Sequence, residues 1–176
     1  MPDYRRAKIA GGIFFFTLTL ADRSSDLLVR DIDRLRRVYG SVQQRRPFET
    51  PAICILPDHL HAIWSLPRGD HDFARRWSLI KSGFSRGLPA APRTLSKMVK
   101  REKGIWQRRY WEHAIRDDQD LSRHIDYIHF NPVKHRLVPS VCQWPHSSFH
   151  RYVRRGDLPE DWGGDVRDLP GSAFGE

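Results

Sequence analysis

The chain has 176 residues, 39% of them hydrophobic and 29% charged. That is the profile of one globular domain with a core to bury, and it excludes a disordered or fibrous chain. Lys and Arg outnumber Asp and Glu by 30 to 21, a net charge of +9. Gly156–Glu176 holds six acids against one base, net −5, so residues 1–155 carry +14. Such a balance calls for a polyanionic partner, most simply nucleic acid. Two cysteines, Cys54 and Cys142, make no disulfide framework; Cys54 sits in an apolar pattern and reads as a buried thiol.

In chain order, Arg5, Arg6 and Lys8 precede the run Ile13 to Leu20, which superficially resembles a secretory leader. Thr17 and Thr19 alternate with Phe16, Leu18 and Leu20, the period of a half-buried strand, predicted over 12–20. A helix follows, with Ser24 or Ser25 as its cap and Leu28, Ile32, Leu35 and Val38 at helical spacing. Residues 48–56 form a second strand, Pro57-Asp58 a tight turn, and 59–66 a third strand, together a hairpin. A basic helix is expected over 72–84, a Pro-rich loop over 88–92 and a short basic helix or turn over 95–100. The aromatic segment 105–115 reads as a fourth strand. A helix over 117–131 ends where Pro132 disfavours the helical state of its neighbour. Beyond it come Pro139, Pro145, the stretch WPHSSFHRYVRR and the acidic tail. No run is long enough to span a membrane. Adjacent hairpin strands alternating with helices predict an α+β domain over 1–155, an antiparallel sheet with helices on one face, and a tail over 156–176.

Two histidines stand out, His59 and His61, separated by Leu60 at the start of the third strand. Side chains at i and i+2 share a face about 7 Å apart and can lean together on one metal ion. Taken alone, such a pair is more often structural, two half-exposed histidines that a strand of an antiparallel sheet happens to carry. On the helix DLSRHIDYIHFN, Leu121, Ile125 and Ile128 define the core stripe. Asp120, His124, Tyr127 and Asn131 fall on a polar strip beside it, at about 260°, 300°, 240° and 280° from Leu121. Tyr127 and Asn131 are neighbours one turn apart. A tyrosine can act as a covalent nucleophile, and the partner that suits it is a phosphodiester polarised by a metal acting as Lewis acid. Two imidazoles with the Asn131 amide oxygen suit Mg²⁺ or Mn²⁺. Each residue alone has a plainer role in packing or helix termination; together they point to cleavage of a polyanion. His124 and His129 read as surface residues, His124 with a possible supporting role. Glu112 and His113 of the fourth strand could also approach the site, with structural hydrogen bonding the first expectation.

These residues lie in blocks that resemble the IS200/IS605-like single-tyrosine transposases of the HUH endonuclease superfamily, and within it the REP-associated tyrosine transposases of bacteria. The blocks are YRRAKIAGGIFFFTL, LPDHLHAIW, WQRRYWEHAIRD, YIHFNPVKH and WPHSSFHRYV, in this order over almost the whole chain. The resemblance implies a ferredoxin-like α+β core with the histidine pair on a central strand. It implies Tyr127 as nucleophile and His59, His61 and Asn131 as ligands of a divalent metal. The implied reaction is cleavage of single-stranded DNA through a 5′-phosphotyrosine link with a free 3′-hydroxyl, then strand transfer. A REP-like hairpin is the implied target, in the bacterial cytoplasm and nucleoid, and a monomer is favoured over a homodimer. Two positions depart from the pattern: Arg136 stands where glycine is expected, and His146 where an aromatic is commoner.

DNA contacts are expected from the basic clusters, foremost Arg5, Arg6, Lys8, Arg108, Arg109, Arg151, Arg154 and Arg155, and also 34/36/37, 45/46, 75/76 and 97/100/101/103. Trp106, Tyr110, Trp111 and Phe149 are candidates for stacking on unpaired bases. The acidic tail reads as a solubilising end or as a competitor of DNA for the basic groove. A hairpin-binding protein without cleavage activity is the alternative function, and an RNA-binding protein with an incidental histidine pair a more distant one.

Overall fold

The computed structural model describes residues 9–163. The strands are β1 (Ile13–Thr19), β2 (Glu49–Ile55), β3 (His59–Ser65) and β4 (Trp111–Ala114). The helices are α1 (Leu27–Arg30), α2 (Ile32–Arg45), α3 (Phe73–Ser85), α4 (Leu95–Val99), α5 (Asp118–Lys134) and α6 (Phe149–Arg155). The strands form one antiparallel sheet in the order β2-β3-β1-β4. This is the ferredoxin-like arrangement expected, and β3 lies between β2 and β1.

Alternation along β1 and β3 divides the core. Phe14, Phe16 and Leu18 with Leu60, Ala62 and Trp64 face a cluster completed by Leu35, Trp77, Ile80 and Phe84 of α2 and α3. There the Trp64 and Trp77 rings stack at 3.9 Å. Phe15 and Ile63, with Ala52 and Cys54 of β2, face Tyr127 and Ile128 of α5. Helices therefore cover both faces, not the single face expected: the apolar parity of β1 is filled on either side by phenylalanine.

Three boundaries differ from the sequence reading. The fourth strand is only Trp111–Ala114; its expected beginning survives as a single bridge between Leu20 and Trp106, and Gln107–Arg109 is exposed loop. The first helix is broken at Asp31 into α1 and α2. Helix α5 runs through Pro132 to Lys134. Proline in the last turn removes one N–H, and the end is closed instead by Arg136 N–H to Val133 O and Leu137 N–H to Pro132 O, both 2.9 Å. Arg136 takes φ 57° there, the left-handed conformation that explains why glycine is the expected residue.

Past α5, residues 146–148 run along the outer edge of β2. Ile55 N–H bonds His146 O, Ser148 N–H bonds Ile53 O, and Trp144 Nε1 donates to Ile55 O. The aromatic-basic block thus caps a sheet edge that would otherwise be open. His146 sets its ring edge-on to Trp144 at 5.6 Å.

Candidate active site

His59 and His61 share a face of β3 and are buried, their ring centroids 5.0 Å apart. Neighbouring groups fix both rings. His61 Nδ1 is 2.8 Å from Thr17 Oγ1 on the adjacent strand, where Thr17 pairs with His61 in register. His59 Nδ1 is 2.7 Å from Asp58 Oδ1, and Asp58 is in turn paired with Arg23 at 2.5 Å. Burial acts to raise the Asp58 carboxyl, but the bond to His59 and the charges of His59 and Arg23 outweigh it and hold the pKa below the ordinary value. An ionised carboxylate only accepts, so His59 Nδ1 carries the proton in this contact. A polar partner on the far nitrogen is the usual support of a metal-binding imidazole.

Helix α5 brings the other half. Asp117 caps it by accepting from Asp120 N–H at 2.8 Å, and its stripe packs on β2 and β3. Tyr127 is buried, its ring edge-on to His61 at 5.3 Å and to Phe15 at 6.2 Å. His135, two turns further, lies 4.9 Å from His59, centroid to centroid. Asn131 falls midway between Tyr127 and His135 on the same strip and is fully buried. Two imidazoles held at Nδ1 by Asp58 and Thr17, with an amide on the facing helix, are a donor set whose chemistry suits a hard divalent ion.

Two residues beside Tyr127 and His59 escaped sequence reasoning. Lys134 donates from Nζ to Tyr127 Oη at 2.9 Å, with Nζ 4.7 Å from the ring centre. His135 is the other. Continuing the helical wheel past Pro132 puts both on the polar strip, at about 220° and 320°; ending the helix at Asn131 hid them.

The remaining candidates separate. His113 faces the same side as the histidine pair, but Glu112 is in register with Phe16 and points to the opposite face. His113 Nε2 is 2.8 Å from Asp120 Oδ2, and His124 Nδ1 is 2.7 Å from Asp120 O and 3.2 Å from Oδ1. The ligand atoms of these three side chains lie within 4.8 Å of one another. They are spent on each other, however, and Arg116 adds its backbone N–H and guanidinium to the same carboxylate. Burial works against the charged Asp120, but the bonds from His113 and Arg116 prevail and bring its pKa to about 2. The cluster ties β4 to α5. His124 is buried against Phe15 at 4.8 Å, and burial lowers its pKa against the pull of Asp120. His129 is also buried, not on the surface. It sits 3.0 Å from Ser148 Oγ and against Phe149, Tyr152 and Trp162, because the segment after α5 folds back over this side of the helix.

Several of the arginines expected to contact DNA are engaged within the fold. Arg151 bonds the carbonyls of Thr50 and Pro51, fastening α6 to β2. Arg76 is buried and paired with Asp70 at 2.5 Å. Arg108 is paired with Glu102 at 3.0 Å. Trp106 and Phe149 are buried, while Trp111 is exposed. Arg109, Arg154 and Arg155 remain exposed. Arg5, Arg6 and Lys8 lie outside the described residues, as does the tail beyond Gly163.

No family model matches the chain. It is 50% identical over 167 residues to a REP-associated tyrosine transposase of Haemophilus influenzae, covering 94% of this chain and 95% of that one. It is 47% identical over 169 residues to the REP-associated tyrosine transposase of Escherichia coli K12, covering 96% and 95%. A solved REP-associated tyrosine transposase bound to a REP hairpin matches with a TM-score of 0.86 at 46% identity, over 100% of this chain and 98% of that chain. At this identity and coverage, with a buried tyrosine set against a histidine pair on the central strand, the chain belongs to the REP-associated tyrosine transposases.

Proposed function

We propose that this transposase cleaves single-stranded DNA beside a REP-like hairpin through a covalent 5′-phosphotyrosine intermediate on Tyr127, with a divalent ion required. The observation that carries the proposal is the Tyr127 ring 5.3 Å from His61 on the buried face of β3. The solved relative bound to a REP hairpin supports the choice of DNA. Mg²⁺ or Mn²⁺ held by His59, His61 and Asn131 would polarise a non-bridging phosphate oxygen.

Tyr127 Oη attacks phosphorus in line and its proton passes to water. The P–O3′ bond breaks, and the departing oxygen takes up a proton to leave a free 3′-hydroxyl. Lys134 donates to the phenolic oxygen and stabilises the charge that develops on it. Attack by a 3′-hydroxyl on the phosphotyrosine reverses these bonds and joins strands. One chain supplies every group named, so a monomer, acting in the cytoplasm on nucleoid DNA, suffices.

The test is a hairpin oligonucleotide with a single-stranded flank, incubated with Mg²⁺ or Mn²⁺ and resolved on a denaturing gel. Wild type forms a protein–DNA adduct that chelation suppresses. Tyr127→Phe forms none, and His59→Ala with His61→Ala loses at least about a hundredfold in rate. An adduct with Tyr127→Phe would refute the nucleophile. Hairpin binding by wild type without any adduct would instead favour a binding protein that does not cut.

A further inference from the structure

We propose that a basic cavity on the sheet face opposite Tyr127 receives one unpaired nucleotide of the bound DNA strand. The cavity, about 660 Å³, opens between α3 and the segment leading into β4. It is large enough for a nucleotide, since ligand pockets run to roughly 300–1,000 Å³. It lies behind Phe16 and Tyr110, whose rings meet at 6.1 Å, and so is separated from the histidine pair by the thickness of the sheet.

Its chemistry suits a base and a phosphate together. The lining carries five cations, Lys81, Arg86, Arg101, Lys103 and Arg108, against one acid, Glu102. Three of the cations are committed to the wall. Lys81 Nζ bonds the carbonyls of Gln107 and Arg108, Lys103 Nζ bonds Leu88 O, and Arg108 pairs with Glu102. Arg86 and Arg101 are exposed at the rim, and the described residues offer their side chains no partner. Trp106, also in the lining, is only 7% exposed, and its indole Nε1–H has no acceptor among the described residues. A buried donor left in this state is costly. Helix α4 stands beside the opening, tied to the wall by Arg108 Nη2 to Ser96 Oγ at 2.9 Å. It exposes Leu95 and Val99 at 80% and 83%, next to Lys97 and Lys100. Apolar side chains among cations suit the face of an unpaired base and the phosphates on either side of it.

The inference rests on the DNA-binding reading above. The test uses the full chain with one hairpin oligonucleotide in two forms, blunt and with a single-stranded flank, titrated at several salt concentrations. The variant is Arg86→Ala with Arg101→Ala, both exposed residues outside the catalytic site. It should bind the flanked form at least about tenfold more weakly and leave the blunt form unchanged. The slope of log affinity against log salt should become shallower by about 1.4, from ~0.7 for each of two phosphates on a single strand. A second readout is photo-crosslinking of flanks carrying a halogenated base at each position in turn, expected to map to Trp106 at one position. Wild-type affinity retained on both forms, or lost equally from both, would overturn the cavity. A wild type that binds neither form would overturn the DNA reading itself.

Discussion

At the scale of single residues, the site depends on charges and hydrogen bonds that hold two rings and one phenol. Lys134 carries a specific expectation. Lys134→Gln should slow adduct formation by roughly tenfold to a hundredfold, the range for losing one electrostatic donor to a reacting oxygen. Lys134→Arg should restore most of the rate, and hairpin affinity should fall less than the rate in both; single-turnover rates at saturating DNA measure the difference. Arg136 gives a test of opposite sign. A non-glycine residue in the left-handed region costs about 1 kcal/mol, and its side chain is exposed. Arg136→Gly should therefore raise stability by about 1 kcal/mol in urea unfolding, leaving the adduct rate within twofold or so of wild type. Spacing put the two histidines on one face of β3 and Tyr127 beside the core stripe of α5, as the structure has them, while their roles came from the family resemblance. Lys134 and His135 were not legible, because a rule about the residue before proline is local, and the packing of α5 on the sheet overrides it for one more turn.

At the scale of elements, the approach of α2 to α3 is set by Gly83. A Cβ at that position would meet Val38 Cγ1 at 2.7 Å, and valine is stiff about χ1. Alanine gains about 1 kcal/mol of helix propensity, but overpacking costs about 1–3 kcal/mol, so Gly83→Ala should destabilise by about 1 kcal/mol. Val38→Ala in the same chain should return the stability, which thermal denaturation of the single and double variants would show. The alternation of Phe16, Leu18 and Leu20 with Thr17 and Thr19 was readable from the sequence, but it suggested a half-buried strand, whereas Phe15, Thr17 and Thr19 are buried as well. Which helix covers which side was not readable, since that depends on contacts distant along the chain. The fourth strand was overread for a related reason. Its aromatic run looked like strand, yet Trp106 and Tyr110 serve the wall of a cavity and the backbone between them leaves the ladder.

At the scale of the whole molecule, acid should loosen the domain through a tie that sequence took for a DNA contact. Arg76 reaches Asp70 and the carbonyls of Arg46, Asp72 and Pro47, joining the end of α2, the start of β2 and α3. The bond from Arg76 holds the Asp70 carboxyl at about 2 against an ordinary 3.8, outweighing burial. A depressed carboxyl contributes its stability in full above 3.8 and loses it as pH falls through about 2. Asp70→Asn should cost about 2 kcal/mol at neutral pH, and its stability should converge on that of wild type by about pH 2; denaturant midpoints across that range would decide. The two-sided sheet has a further consequence. The residues expected to cut sit on one face of β3 and β1, while the basic cavity and α4 sit on the other, and the strands between them carry both in fixed register. Substitutions around α4 need not move a histidine or the tyrosine, so under the two proposals above the choice of DNA could drift across generations while the cutting apparatus is inherited intact.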